Sequence, residues 1–388
     1  MRKMLWIYIT LVVALIIYIV QYQVQESSSA WSEQGMKGDI NEKYMMITFQ
    51  SGIEYWKSGL KGFEDAAEAL DVSVEYQGST RYDAREQAMI VEQAIAKKPA
   101  GIAISAIDSP LLVQAVNKAV DQGIPVVMFD AEAPGSRSYS FLATDNQNAG
   151  SIAAEQMATR IGNSGQIAII TLANQQNHKD RTAGFEQRIR QSYPGMKIVA
   201  VKNDEGDAVL AQQQTSELLK TYPKLKGIFI TEATGAYGVG SAVEQWMQGQ
   251  AQTNGSGSSA AASSNDNASA ANEQVATNQA AESEVQSTNQ PVTQPAASSS
   301  ATSTKPVIIS FDTNKETLDM IQTGTIDATI AQGTWNMGYW SLQYLFHLHH
   351  GLTVPAPSLS GIVSPVPVRV DTGVSVVTKD NVSDYYAK

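Results

Sequence analysis

Cysteine is missing altogether from the 388 residues. Its absence excludes disulfides, thiolate zinc sites, iron–sulfur clusters, cysteine nucleophiles and the acylated cysteine of a lipoprotein. It also leaves the compartment to be read from something other than redox chemistry. Basic residues are scarce as well: 27 Lys and Arg stand against 38 Asp and Glu, a net charge of −11. Such a chain lacks the positive surface that a phosphate backbone demands, so nucleic acid is not an expected partner. Histidine is limited to 4 residues. His347, His349 and His350 crowd ahead of Gly351, where partial positive charge suits a helix C-terminus, and they read as a solvated last turn rather than a metal site. No histidine near Ser51 suggests a catalytic triad. Gly235, Gly238 and Gly240 run G-x-x-G-x-G rather than G-x-G-x-x-G, so a dinucleotide is not expected either. The expectation is a protein without cofactor or metal, and not an enzyme.

One long apolar run is present, at residues 4–20, directly after Arg2 and Lys3. About 18 to 20 residues suffice to cross a hydrocarbon core as a helix, whereas the apolar core of a signal peptide runs to about 7–15. The two basic residues precede the run and should stay cytoplasmic, which puts the rest outside. Residues 1–25 therefore read as a membrane anchor or a signal, and 26–42 as a stalk. Ser28-Ser29-Ala30 is a passable cleavage site but lies far from the run, which favours a retained single-pass anchor over a secreted product. At 249–304 basic and aromatic residues vanish, leaving Ala, Ser, Asn, Gln, Thr and Gly with a few acids. That stretch has too little apolar surface to offset ordering entropy and is expected to be disordered. A helix at 242–247 and a strand at 307–311 flank it as neighbouring elements of one sheet, so it reads as an insertion rather than a linker. What is left, roughly 290 residues, suffices for two domains.

Elsewhere strand and helix alternate. Strands are expected at 44–49, 72–76, 101–105 and 124–129, with helices at 55–70, 84–96 and 111–122 between them. The series then restarts, with helices at 149–161, 182–192 and 208–221 and strands at 166–171, 197–201 and 227–231. Short buried strands alternating with helices predict an α/β chain of two doubly wound parallel-sheet lobes. Ligands of such sheets sit beyond the carboxyl ends of the strands, and a cleft between lobes is a favoured small-molecule site. Gln50, Ser51, Ser105, Asp130, Glu232, Asp312 and Gln332 occupy those positions. Any one of them alone could merely cap the next helix; their recurrence around one rim points to a binding site. Tyr55 and Trp56, just after the first strand, fit either a core or the apolar face of a sugar ring.

Several motifs follow one another in a distinctive order. Gly123-Ile124-Pro125-Val126-Val127 leads to Asp130, then Ala143-Thr144-Asp145-Asn146 with Ala149-Gly150, then Asp180-Arg181-Thr182-Ala183-Gly184-Phe185. Further on come Phe311-Asp312, Ala328-Thr329-Ile330-Ala331-Gln332, Met337-Gly338 and Val377-Thr378-Lys379-Asp380-Asn381. From 44 to 381, the insertion apart, this succession resembles the type 1 periplasmic-binding-protein family in its ribose- and galactose-binding branch. The resemblance implies a receptor that closes about a hinge of three crossings, near 142–144, near Gln332 and near 366–370. It implies a first lobe of 43–143 plus 333–367 and a second of 144–332 plus 368–388, the latter carrying the insertion. It also implies ring stacking by Tyr55 and Trp56, hydroxyl acceptance by Asp130 and Asp312, donation by Arg181, and Gln332 at a crossing.

Ribose-type members commonly carry Arg where this chain has Ala131, and Asn where it has Ser105 and Glu232, so ribose itself is not the expected ligand. Three acids, Asp130, Glu232 and Asp312, against one base, Arg181, favour a neutral polyol or a cation over an anion. Two roles fit: an extracytoplasmic receptor serving an ABC permease in sugar import, or an anchored sugar sensor that engages a histidine kinase or similar membrane partner.

Overall fold

The computed structural model describes residues 36–259, 305–353, 356–358 and 361–386, together with Leu15 and Tyr18. The rest of the apolar run at 4–20 lies outside the described residues, as does most of the tract at 249–304. Among the described residues no helix is long and apolar enough to cross a membrane.

Two six-stranded sheets form the frame. The first contains β1 (Lys43–Thr48), β2 (Ser73–Gly78), β3 (Gly101–Ile104), β4 (Val126–Phe129), β5 (Phe141–Ala143) and β13 (Arg369–Asp371). Their order is β13-β5-β4-β3-β1-β2, and every pairing is parallel. The helices α1 (Tyr55–Leu70), α2 (Ala84–Ala96) and α3 (Pro110–Asp121) connect its strands. The second sheet contains β6 (Gly165–Thr171), β7 (Met196–Asn203), β8 (Leu225–Ile230), β9 (Val307–Phe311), β10 (Ala328–Gln332) and β14 (Val374–Val377). It repeats the pattern as β14-β10-β9-β8-β6-β7. Around it stand α4 (Asn146–Ile161), α5 (Gln176–Ser192), α6 (Ala208–Thr221), α7 (Ala233–Ser259) and α8 (Lys315–Thr323), while α9 (Thr334–His349) returns to the first lobe. A separate ribbon pairs β11 (Ala356–Ser358) with β12 (Gly361–Val363).

The period of two along each strand sends alternate residues to opposite faces. From β1, Tyr44 and Met46 pack with Phe63 of α1 and Leu342 and Phe346 of α9. Met45 and Ile47 pack on the other side with Val91 and Ile95 of α2 and Leu112 of α3. In β6, Ile167 and Ile169 meet Ala153 of α4 and Phe185 of α5, whereas Ala168 and Ile170 meet Leu218 of α6 and Val239 of α7. Each such fully buried large side chain contributes about 1.5–3 kcal/mol. The helix starts are fixed locally. Asp83 accepts from the amides of Arg85 and Glu86, Ser109 from Leu111 ahead of a first-turn proline, and Asp145 from Asn148.

Glycines let paired helices touch backbone to backbone. A Cβ on Gly62 would strike the carbonyl of Trp335, and one on Gly338 the carbonyl of Gly59, which joins α1 to α9. In the second lobe a Cβ on Gly150 would strike the carbonyl of Arg181, and one on Gly184 that of Gln147, which joins α4 to α5.

Four features differ from the expectation. Strand β14 runs antiparallel to β10; a lone antiparallel edge needs no helical crossover, and mixed sheets commonly carry one. Because Arg369–Asp371 pairs with β5 in the first sheet, the third crossing falls at Thr372 and Gly373, not at 366–370. Helix α5 begins at Gln176 rather than 182, which places Arg181 on a helix. Helix α7 passes Gly249, where the low-complexity tract begins, and runs through Ser259. Its buried Ala236, Val239 and Val243 supply the costly nucleus from which the helix propagates.

Candidate functional site

Two strand-end residues, one in each sheet, share an unusual backbone geometry. Asp130 follows β4 with φ 61° and Asp312 follows β9 with φ 68°, both left-handed. These strands hold the same place in the two sheet orders. Non-glycine residues held in this region are costly and cluster at functional sites.

Asp130 is buried and accepts from the hydroxyl of Tyr55 at 2.5 Å and from Oγ of Ser105 at 3.1 Å. Burial pushes its carboxyl pKa upward, against the lowering effect of the Tyr55 hydrogen bond, the Arg181 charge and the Ser105 hydrogen bond. Tyr55 itself, at the first turn of α1, is held well above the usual phenol range by burial and then by the charges of Asp130 and Asp312. It therefore remains a neutral donor. Ser105 is fully buried at the end of β3.

Arg181 supplies the counter-charge. Only 1% of it is exposed. Its Nε donates to Oδ1 of Asn146 at 2.8 Å and its Nη1 to the carbonyl of Thr231 at 2.7 Å. The guanidinium lies 4.2 Å over the ring of Phe311, the residue before Asp312, a favourable cation–π placement. The close approach of Gly150 to the Arg181 carbonyl and of Gly184 to the Gln147 carbonyl holds α5 against α4 beside the Asn146 bond. On the same helix, His178 is buried with Nδ1 3.1 Å from the Thr231 carbonyl. Burial, and then the charge of Arg181, push its pKa well below the usual imidazole value.

Asp312 accepts from Nε2 of Gln332 at 2.7 Å, and Oε1 of that amide accepts from the hydroxyl of Thr144 at 2.8 Å. Thr144 follows β5 and Gln332 ends β10, so the amide ties two of the crossings to a carboxylate. Burial raises the Asp312 pKa, opposed by the Arg181 charge and the Gln332 hydrogen bond.

The sequence-based set thus divides. Tyr55, Ser105, Asp130, Arg181, Asp312 and Gln332 come together through these bonds and shared fields. Trp56 touches them only through Tyr55, whose ring is 4.8 Å away: it is 3% exposed, donates from Nε1 to the Phe49 carbonyl at 2.8 Å and packs edge-on against Phe49 and Phe129. The helical spacing that allowed a core role for it is the one realised. Glu232 turns to the start of α7, where it accepts from the amides of Thr234 and Gly235. Its carboxyl is pushed up to about 8 by burial and by neighbouring Asp204, which is itself fully buried and raised by burial. Asn146, His178, Asp204 and the Thr231 carbonyl were not anticipated. Asn146 lay within a quoted motif and its Arg181 contact could have been guessed; a backbone carbonyl leaves no trace in sequence.

Residues 44–262 match the periplasmic binding protein domain. The chain belongs to that family. A sugar ABC transporter sugar-binding protein from Bacillus halodurans is 46% identical, with TM-score 0.72 over 89% of this chain and 100% of that one. An arabinose-binding protein from Geobacillus stearothermophilus is likewise 46% identical, with TM-score 0.71 over 89% of this chain and 99% of that one. The D-ribose/D-allose-binding protein of Pseudomonas aeruginosa is 29% identical over 216 residues, which span 54% of this chain and 64% of that protein. The fold is the two-lobed periplasmic-binding-protein type 1 architecture, and these relatives are named as binding proteins rather than enzymes.

Proposed function

We propose that this binding protein takes a small neutral sugar between its lobes, outside the cytoplasm, and presents it to an ABC-type permease. The observation that carries the reading is the pair of left-handed aspartates, one on each sheet, that share the charge of Arg181. A sugar hydroxyl donates and accepts at once, so carboxylates and a guanidinium fix its orientation through charge-assisted bonds. Tyr55, Ser105, Asp130, Arg181, Asp312 and Gln332 are the contact residues in this reading, and Trp56 supports the ring of Tyr55 from behind. An anionic ligand would meet one buried and one half-buried carboxyl group with a single guanidinium to offset them, which disfavours it. The 46% identity to an arabinose-binding protein makes a pentose the first candidate.

Titration calorimetry of the purified chain with L-arabinose, D-xylose, D-ribose, D-allose and galacturonate tests this. Saturable binding of a neutral monosaccharide, lost in Asp312→Asn and Arg181→Ala, is the expected result; binding of galacturonate alone would overturn it. The apolar run at 4–20 serves, in the same reading, as an anchor that keeps the receptor beside its permease. The chain should fractionate with membranes and keep its first residues, whereas a mature N-terminus at Trp31 would replace the anchor by a cleaved signal.

A further inference from the structure

At the opposite end of the first lobe from the strand rim, Glu42 precedes β1 and the helix α9 ends on His349 and His350. A ring nitrogen of each histidine and a carboxylate oxygen of Glu42 all lie within 4.8 Å of one another. Nε2 of His350 is 2.8 Å from Oε2 of Glu42. Both histidines are exposed; the His350 ring lies 4.2 Å from that of Phe346, centroid to centroid, and the His349 ring 6.1 Å from that of Tyr44. The Tyr44 hydroxyl reaches the same Glu42 oxygen at 3.5 Å.

We infer that Glu42, His349 and His350 form a binding site for a divalent transition-metal ion, with Zn2+ as its representative. Two imidazoles and one carboxylate within coordination reach are a donor set suited to borderline-soft ions and poorly suited to Ca2+ or Mg2+, which take oxygen. Three protein ligands leave a fourth tetrahedral position to water. Tyr44 acts from outside the ligand set, orienting the carboxylate as outer-sphere partners of metal ligands do. Such an ion joins the segment that enters the first strand to the end of the helix that follows the Gln332 crossing. It does so at the amino ends of the strands, so sugar binding at the carboxyl ends is independent of it. The histidine cluster is thus more than the solvated helix end that its sequence suggests.

The test uses the full chain, free of any polyhistidine tag, stripped with chelator and titrated with zinc chloride in a calorimeter. One equivalent should bind saturably, and the chain should melt higher with zinc than without. His349→Gln, His350→Gln and Glu42→Gln should each weaken binding by at least tenfold, while His347→Gln, outside the ligand set, keeps it. Co2+ in place of Zn2+ should give the visible absorption of a nitrogen- and oxygen-ligated tetrahedral ion. Absence of a saturable equivalent in the unaltered chain overturns the site whatever the variants do. Unchanged binding in both His349→Gln and Glu42→Gln, or its loss in His347→Gln, overturns this ligand set.

Discussion

In the first lobe the groups that gather at the strand ends are Tyr55, Ser105 and Asp130, a phenol, a hydroxyl and an acid. In the second, Asp312 shares its rim with Arg181, a fully buried guanidinium bound to Asn146 and to the Thr231 carbonyl. The scaffolds beneath are near copies, with the same strand order and an aspartate in left-handed geometry after equivalent strands. The difference lies in charge: one side contributes acceptors and neutral donors, and the other contributes the cation on which both acids depend. A repeated fold therefore carries an unrepeated electrostatic layout, and the second lobe should be the more fragile of the two to substitution at the rim.

Arg181→Met probes that asymmetry most strongly. Removing one member of a buried charged set leaves the others uncompensated at about 3–5 kcal/mol, so the urea midpoint should fall sharply and sugar binding should vanish. Tyr55→Phe, on the first rim, removes a single hydrogen bond to a charged group and should cost only about 1.5–3 kcal/mol. Equal losses from the two variants would dissolve the distinction between the lobes.

The glycine contacts should, by contrast, respond alike. Gly338→Ala and Gly150→Ala each drive a methyl into a facing backbone carbonyl, and overpacking of this kind costs about 1–3 kcal/mol. Denaturation curves of the two variants should shift by similar amounts. Both should weaken sugar binding as well, because Gly150→Ala moves the helix that bears Arg181 and Gly338→Ala presses on the helix that bears Tyr55.

A further effect concerns pH and is greatest at Glu232 in the second lobe. Glu232 titrates at about 8 in the folded chain, against an ordinary value of 4.5. The folded state then holds its proton more tightly than the unfolded one, so the associated stability is fully present below the unfolded pKa and is lost as pH rises through the folded one. Melting temperatures should decline from about pH 5 to about pH 8. The groups facing Glu232 are Asp204 and the amides that start α7, with Asp207 adding its charge to Asp204. Glu232→Gln, which can still donate to Asp204, should flatten the decline; an unchanged slope would show that other groups produce it.

The smallest effect is expected from deleting 260–304 and closing the gap with a short Gly-Ser link. Helix α7 starts at the carboxyl end of β8 and runs away from the rim, and β9 re-enters at its amino end. A halved or doubled loop changes closure entropy by only about 0.6 kcal/mol, so affinity should be preserved. Loss of sugar binding in a folded deletion variant would place this tract at the cleft.

Much of this was legible in the sequence, for physical reasons that also mark where it stopped. Runs such as Met45 to Thr48 and Ile167 to Thr171 are apolar on both faces because helices cover both, and that made the strands and their parallel packing readable. The start of α5 was hidden because Gln176, Asn177, Lys179 and Asp180 give no apolar period, although His178 and Arg181 are its buried members. The direction of β14 depends on Gly373 at φ 80° and a two-residue turn across the lobes, which no periodicity encodes. At the site, Asp130 and Asp312 could be named from position alone, and Arg181 only from the family resemblance of its motif. That Glu232 caps a helix, and that Trp56 belongs to Phe49 and Phe129, follow from side-chain directions that residue order does not specify.

The left-handed backbone at Asp130 and Asp312 also limits how this receptor can change its taste. A side chain branched at Cβ fits poorly there, and each residue other than Gly, Asn or Asp meets a strain of about 1–2 kcal/mol. A randomised library at these two positions should return mostly Asp, Asn and Gly, so new specificities must be reached through their neighbours. Ser105 and Tyr55, whose backbones carry no such restriction, are where selection for a different sugar has room to work.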